Sequence, residues 1–130
     1  MRKKVVVLDD YENSYKKLSN WTHIEKMADV EIFNRQLKGE ELLNAIKNAH
    51  VIVLMRDRTP LKADLIAQLP VLEYVVFTGT RNGTLDADAL KQRNILISHT
   101  EWGPSKESTT ELTWTLILGL QKRLIEQNAL

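Results

Sequence analysis

Short apolar runs alternate along this chain with stretches whose apolar residues recur at helical spacing. Val5-Val6-Val7-Leu8 is a continuous run rich in β-branched residues, the mark of a buried strand. Tyr11, Tyr15 and Leu18 then follow at helical intervals. Val30-Glu31-Ile32-Phe33 reads as a second, shorter strand with partial alternation. Gly39 opens a helix with Leu42, Leu43 and Ile46 on one face, and Val51-Ile52-Val53-Leu54-Met55 is the third and strongest strand. Pro60 begins a short helix, Lys62 to Gln68, which Pro70 ends. Tyr74-Val75-Val76-Phe77 is the fourth strand. Asp86 can cap a helix that carries Ala87, Leu90 and Lys91 and ends near Arg93. Ile95-Leu96-Ile97 is the fifth strand, and a long helix begins near Ser108 and runs to about Gln127.

Strand and helix thus alternate from end to end. Strands that read as continuous apolar runs are buried on both faces, as in parallel sheets. Right-handed crossovers limit the topologies to a doubly wound sheet. The expected fold is α/β: a flavodoxin-like, five-stranded parallel sheet of order 2-1-3-4-5, followed by a long apolar C-terminal helix. There is no internal repeat and no low-complexity linker. Ser108-Thr109-Thr110-Glu111 reads as a capping box, in which the serine caps the helix start and the glutamate reaches back. On the helix that follows, Leu112, Leu116 and Leu120 line one face. Trp114, Leu118 and Ile125 line another, with Ile117 and Leu124 between. One sheet can cover only one side of such a helix, so it requires a second domain or another subunit. The expected outcome is a homodimer through residues 108–127.

A chain of 130 residues suffices for one unstapled domain, burying roughly two-thirds of its unfolded surface. Charged residues make up 27% and the net charge is +1, with both signs interspersed, which argues against nucleic acid as a partner. Lys3-Lys4 and Lys16-Lys17 read as solvated faces. Cysteine is absent, which excludes disulfides, zinc ribbons, iron–sulfur clusters and thiol nucleophiles and fits a cytoplasmic setting. The apolar run after Met1-Arg2-Lys3-Lys4 is too short for a secretory segment, and nothing approaches the ~20 apolar residues that span a bilayer.

In doubly wound sheets ligands bind beyond the carboxyl ends of the strands. Five polar segments occupy those ends: Asp9-Asp10-Tyr11, Asn34-Arg35, Arg56-Asp57-Arg58-Thr59-Pro60, Thr78-Gly79-Thr80-Arg81-Asn82-Gly83 and His99-Thr100-Glu101-Trp102-Gly103. Gly79 and Gly83 flank Thr80-Arg81-Asn82 directly after a buried strand. That arrangement is either an anion-binding nest of backbone N–H groups or a plain strand-to-helix loop. Arg56 and Arg58 can clamp a carboxylate or phosphate, and can equally pair with Asp57, Asp9 or Asp10. His99 has no acid at a recognisable offset and reads as a structural histidine, while His23 and His50 have no partner spacing. No group of His, Asp and Glu has metal-ligand spacing. Trp102, beside Gly103 and Pro104, is either a lid over the site or core packing.

Four segments in register carry a resemblance: Val5 to Tyr11 (VVVLDDY), Val51 to Pro60 (VIVLMRDRTP), Thr78 to Asp86 (TGTRNGTLD) and Ser108 to Leu120 (STTELTWTLILGL). Together they resemble the N-terminal part of the D-isomer-specific 2-hydroxyacid dehydrogenases, over essentially the whole chain. The resemblance implies a flavodoxin-like substrate-binding domain at residues 1–107 and an interdomain or dimerisation helix at 108–130. It implies that Thr78, Gly79, Thr80, Arg81 and Asn82 hold the carboxylate of a small 2-hydroxy or 2-keto acid, largely through backbone amides, with Arg56 at the rim. It also implies an NAD-dependent oxidoreductase whose Rossmann cofactor domain, with its G-x-G-x-x-G turn and its catalytic arginine, glutamate and histidine, is not in these 130 residues. Arg81, Glu101 and His99 align with other positions, so no catalytic residue and no cofactor contact is assigned here. The family's C-terminal segment, which returns to complete the substrate domain, is likewise outside this sequence. The match weakens from Gly103 to Glu107, where the asparagine often found before the capping box is not present. The expectation is a chain inactive by itself in hydride transfer.

Two other readings compete. One is a non-catalytic module that binds a small carboxylate or pairs with relatives through the apolar helix. The other is a phosphoacceptor receiver domain, which Asp9-Asp10, Asp57 and Thr78 imitate. A receiver needs a lysine after the fifth strand, where this chain has His99-Thr100, and Arg56 and Arg58 flank Asp57.

Overall fold

In the computed structural model each apolar run folds as a strand: β1 Lys3–Val7, β2 Ala28–Ile32, β3 Val51–Leu54, β4 Tyr74–Phe77 and β5 Leu96–His99. The structure describes residues 1–101 and 107–128, and of Leu124 and Ile125 the backbone only. The strands pair in parallel in the order β2-β1-β3-β4-β5, as the alternation requires. The helices joining them are α1 Tyr15–Leu18, α2 Thr22–Met27, α3 Gly39–Ile46, α4 Ala63–Ile66 and α5 Ala87–Gln92. Two further helices, α6 Ser108–Gln121 and α7 Leu124–Asn128, belong to a second unit, Glu101–Leu130; the sheet lies in the first, Met1–Thr100.

Side chains alternate across a strand, so the two faces of the sheet carry different sets. Val6, Leu8, Ile52, Leu54, Val75 and Phe77 point to one side and meet Leu42 and Ile46 of α3, Ile66 of α4 and Leu90 of α5. Val5, Val7 and Val53 point to the other side, where Tyr15 and Trp21 lie over them. β3 is the central strand, and both faces of Ile52-Val53-Leu54 are buried, which explains its unbroken apolar sequence. Asp86 caps α5 as its position suggests, its carboxylate accepting from the Ala89 amide at 2.9 Å.

Four expectations are corrected. The segment after β1 is not one helix: Tyr11 lies in a turn, and α1 and α2 are separated where Trp21 Nε1 donates to the Tyr15 carbonyl at 2.8 Å. β5 is not covered on both faces, because it is the sheet edge, and Leu96 is 70% exposed. The Ser108 hydroxyl makes no capping-box bond. Glu107 is the residue before the first helical turn, which places Ser108 inside the helix, one position too late to cap it. The long helix breaks at Arg123, whose φ is +50°, so α6 ends at Gln121 and α7 starts afresh. Among the described residues no helix is long and apolar enough to cross a membrane.

The Tyr15 hydroxyl is buried and has no hydrogen-bond partner among the described residues. Burial, and after it the nearby Asp10 carboxylate, pushes its pKa up to about 12 from 10.0. The folded chain therefore holds this proton where the unfolded chain releases it. The resulting stability is complete below pH 10 and is lost as pH rises through about 12. In a spectrophotometric titration one tyrosine should ionise near pH 12, and Tyr15→Phe should abolish that step.

Candidate functional site

The backbone beyond β3 turns sharply at Arg56, which adopts φ +50°. Two side chains from beyond β4 hold that turn. Thr78 Oγ1 accepts from the Arg56 amide at 3.0 Å, and Asn82 Nδ2 donates to the Arg56 carbonyl at 2.7 Å. Asn82 Oδ1 in turn accepts from the amide and hydroxyl of Thr84, at 2.9 and 2.8 Å. Further along, the Leu61 amide donates to the Thr84 carbonyl and the Asp86 amide to the Leu61 carbonyl. The loops after β3 and β4 are therefore laced into one rim.

Gly79 is where the two loops come closest. Its φ is +91°, a backbone conformation that side chains disfavour, and an added Cβ would lie 3.9 Å from Arg56 Nε. Its amide donates to Thr100 Oγ1 at 2.8 Å, which ties the loop to the end of β5. The next amides, of Thr80 and Arg81, pair with no acceptor among the described residues. Arg81 is exposed and Thr80 half-buried. All six expected site residues, Arg56 and Thr78 to Asn82, thus converge on one rim, but in different roles. The Thr78 hydroxyl and the Asn82 side chain brace the turn, the Gly79 amide is already engaged, and the Thr80 and Arg81 amides have no acceptor among the described residues.

Asn82→Ala should remove three hydrogen bonds, one to the Arg56 carbonyl and two from the amide and hydroxyl of Thr84. The expected cost is about 1–3 kcal/mol in denaturant unfolding, together with faster amide exchange at residues 79–84.

The remaining strand ends are committed to the fold. Asp9, with φ +61°, buries its carboxylate against Thr59 Oγ1 at 2.5 Å and accepts from the Tyr11 hydroxyl at 3.2 Å. Asp10 accepts from the Ser14 amide and hydroxyl and from the Tyr15 amide. Among the described residues the Arg58 side chain bonds neither Thr78–Asn82 nor an aspartate carboxylate. It donates to the Asp9 carbonyl at 2.8 Å, lies 4.4 Å over the Tyr11 ring and pairs with Glu12. Asp9 and Asp10, the leading aspartates of the receiver reading, are thus both hydrogen-bonded to loop residues. Arg35 is paired with Glu41, and that bond holds the glutamate below its usual pKa. His99 stacks on Phe77 with ring centroids 5.5 Å apart, and His50 is buried with Nδ1 accepting from the Lys4 amide. Trp102, Gly103 and Pro104 lie outside the described residues. Among the described residues no three of His, Cys, Asp and Glu are placed to hold a metal.

Thr59, Thr84 and Thr100 are site-building residues that the sequence reading did not single out. Thr100 follows β5 as Thr78 follows β4, and Phe77 pairs with His99. Its role thus becomes legible only once the strand register is known.

A sequence model of the family described as D-isomer specific 2-hydroxyacid dehydrogenase, catalytic domain, matches residues 5–126. Among characterised proteins, the chain is 29% identical over 106 residues to a glyoxylate reductase of Aeropyrum pernix, covering 79% of this chain and 31% of that protein. It is 29% identical over 119 residues to a D-3-phosphoglycerate dehydrogenase of Haemophilus influenzae, covering 92% of this chain and 28% of that protein. Among solved structures, a phosphoglycerate oxidoreductase from Vibrio cholerae superposes with a TM-score of 0.74 at 31% identity, over 92% of this chain and 37% of that one. The 130 residues therefore span about a third of the length of the proteins they match.

Proposed function

Because the chain belongs to the D-isomer specific 2-hydroxyacid dehydrogenase family and matches its catalytic domain over residues 5–126, we propose that its first unit binds the carboxylate of a small 2-hydroxy or 2-keto acid at the rim of Arg56 and Thr78–Asn82. One observation supports this reading: the two loops are laced together, the Arg56 side chain lies against Gly79, and the Thr80 and Arg81 amides that follow have no acceptor among the described residues. Successive backbone amides of this kind form an anion-binding concavity, and an arginine alongside adds charge-assisted bonding. The acids that suit it are those for which the related enzymes are named, glyoxylate and phosphoglycerate.

NAD, the cofactor implied for the whole enzymes, does not fit the turn after β1. A dinucleotide needs a glycine-rich turn whose helix amides are open to phosphate. After β1 this chain instead has Asp9-Asp10, and the Asp10 carboxylate already occupies the amides of Ser14 and Tyr15. The role proposed for these residues is therefore to hold and orient the acid, and the 130 residues by themselves transfer no hydride. We further propose a homodimer, built on the apolar surface of α6, in the reducing cytoplasm that a cysteine-free chain suits.

Calorimetric titration of the chain with glyoxylate, glycolate and 3-phosphoglycerate tests the binding claim. Saturable binding that weakens about tenfold in Arg56→Gln, which removes the guanidinium at the rim, with no oxidation of added NADH, is the expected result. Silence across all three acids, or turnover by the pure chain, would contradict it.

A further inference from the structure

Asn82 is the only asparagine of this chain that is followed by glycine. The bonds around this pair are unevenly placed. Asn82 Oδ1 accepts from two donors, the Thr84 amide at 2.9 Å and the Thr84 hydroxyl at 2.8 Å. Two donors on one oxygen draw electrons from Cγ. They lie where negative charge would develop if a nucleophile added there, as in an oxyanion hole. The Gly83 amide nitrogen is the adjacent nucleophile, and it has no acceptor among the described residues. Glycine also leaves the backbone free to turn that nitrogen onto Cγ. Asn13-Ser14 provides the contrast, because the Ser14 amide is committed to the Asp10 carboxylate at 2.8 Å.

We propose that Asn82-Gly83 is a site of self-modification, promoted by the Thr84 donors, at which the chain converts Asn82 to aspartate or isoaspartate and opens its own rim. The Gly83 nitrogen forms a bond to Cγ of Asn82 and gives up its proton. The Cγ–Nδ2 bond breaks, and the former amide group leaves with that proton as ammonia. The cyclic imide so formed takes up one water. Opening at the bond between Cγ and nitrogen gives aspartate; opening at the backbone carbonyl gives isoaspartate, whose main chain runs through the side chain. No electrons are exchanged, and water is the sole co-reactant.

The product lacks the Nδ2 donor that holds the Arg56 carbonyl at 2.7 Å, and can set a carboxylate oxygen against that carbonyl oxygen instead. The net charge of the chain falls from +1 to zero. The new negative charge follows directly on the Thr80 and Arg81 amides, where it opposes a bound carboxylate. Isoaspartate also lengthens the backbone by one carbon just before Gly83 and Thr84, which displaces the Thr84 donors. The loss of carboxylate binding rests on the reading proposed above; the modification does not.

The test is peptide mapping by mass spectrometry of the whole chain, kept folded in warm, mildly alkaline buffer, with a parallel sample in urea. A mass gain of one dalton is expected at residue 82 of the folded chain, ahead of every other asparagine. Thr84→Val removes the hydroxyl donor and should slow the conversion several-fold in the folded chain while leaving the rate in urea unchanged. Gly83→Ala, whose Cβ would meet nothing within 4 Å, should slow it on the order of tenfold in both. The converted chain and Asn82→Asp should both show faster amide exchange at Arg56 and Thr84. Both should bind glycolate about tenfold more weakly than the fresh chain. Conversion in urea but not in the folded chain, or a faster reaction in Thr84→Val, would mean that the hydrogen bonds guard the side chain, and would overturn the inference. If residue 82 converts and the rim loosens, but the fresh chain binds no glycolate, the binding reading falls and the modification stands.

Discussion

Replacing Ile52 with alanine is expected to remove about 3–5 kcal/mol of folding stability. Ile52 is fully buried at the middle of the central strand, with Val6 and Val75 as its neighbours in the adjoining strands. Its side chain points into the larger of the two cores, among side chains that α3, α4 and α5 supply. Removing three carbons there leaves a cavity that helices on one side and a sheet on the other cannot both close, so the transfer loss and the cavity term add. A domain of this size has only about 5–15 kcal/mol to lose. Urea unfolding should show a lower midpoint with an unchanged slope. Leu96→Ala is the control, since Leu96 is of similar size but exposed on the edge strand. It should shift stability by no more than about 0.5 kcal/mol. Equal costs at the two positions would mean that the sheet is not ordered as described.

Asp9 gives the second large effect, and two substitutions separate its causes. Asp9→Ala removes the acceptor for the buried Thr59 hydroxyl and for Tyr11, and it places a Cβ-bearing, non-polar residue at φ +61°. The unpaired hydroxyl and the left-handed backbone together should cost about 2–5 kcal/mol. Asp9→Asn keeps an acceptor oxygen and a residue type that tolerates this backbone, so its cost should be about half as large. Because the Asp9 carboxylate accepts from Thr59, the alanine variant should also loosen the loop after β3 that carries Thr59. Thermal unfolding of both variants checks the order, and an asparagine variant as unstable as the alanine one would remove the backbone argument.

Much of the architecture was legible in the sequence because burial on both faces leaves an unbroken signal. Val5 to Leu8, Val51 to Met55 and Tyr74 to Phe77 contain their strands to within a residue or two, and strand–helix alternation with right-handed crossovers leads to the order 2-1-3-4-5. Short-range effects were less legible. The break between α1 and α2 depends on an indole reaching a carbonyl, the end of α6 on one left-handed residue at Arg123, and the failure of the Ser108 cap on a helix start shifted by one position. The rim was legible as segments but not as roles. Loops after neighbouring strands must meet, which places Arg56 beside Thr78–Asn82. Which amides are spent and which remain is decided by Thr78, Asn82 and Thr100, whose hydroxyl and amide groups look like any loop residue's until the register is known. Arg58 has the same composition signal as Arg56 and the opposite fate, because Asp9 and Tyr11 are close enough to capture it.

The most direct measurement is an amide-resolved NMR titration of the ¹⁵N-labelled chain with glycolate, with chloride as the anion control. Binding at the rim predicts saturable shifts centred on the Thr80 and Arg81 amides. The Gly79 amide should follow only indirectly, because Thr100 already holds it. Shifts spread over the surface lysines, or the same response to chloride, would contradict a carboxylate site built from these two loops.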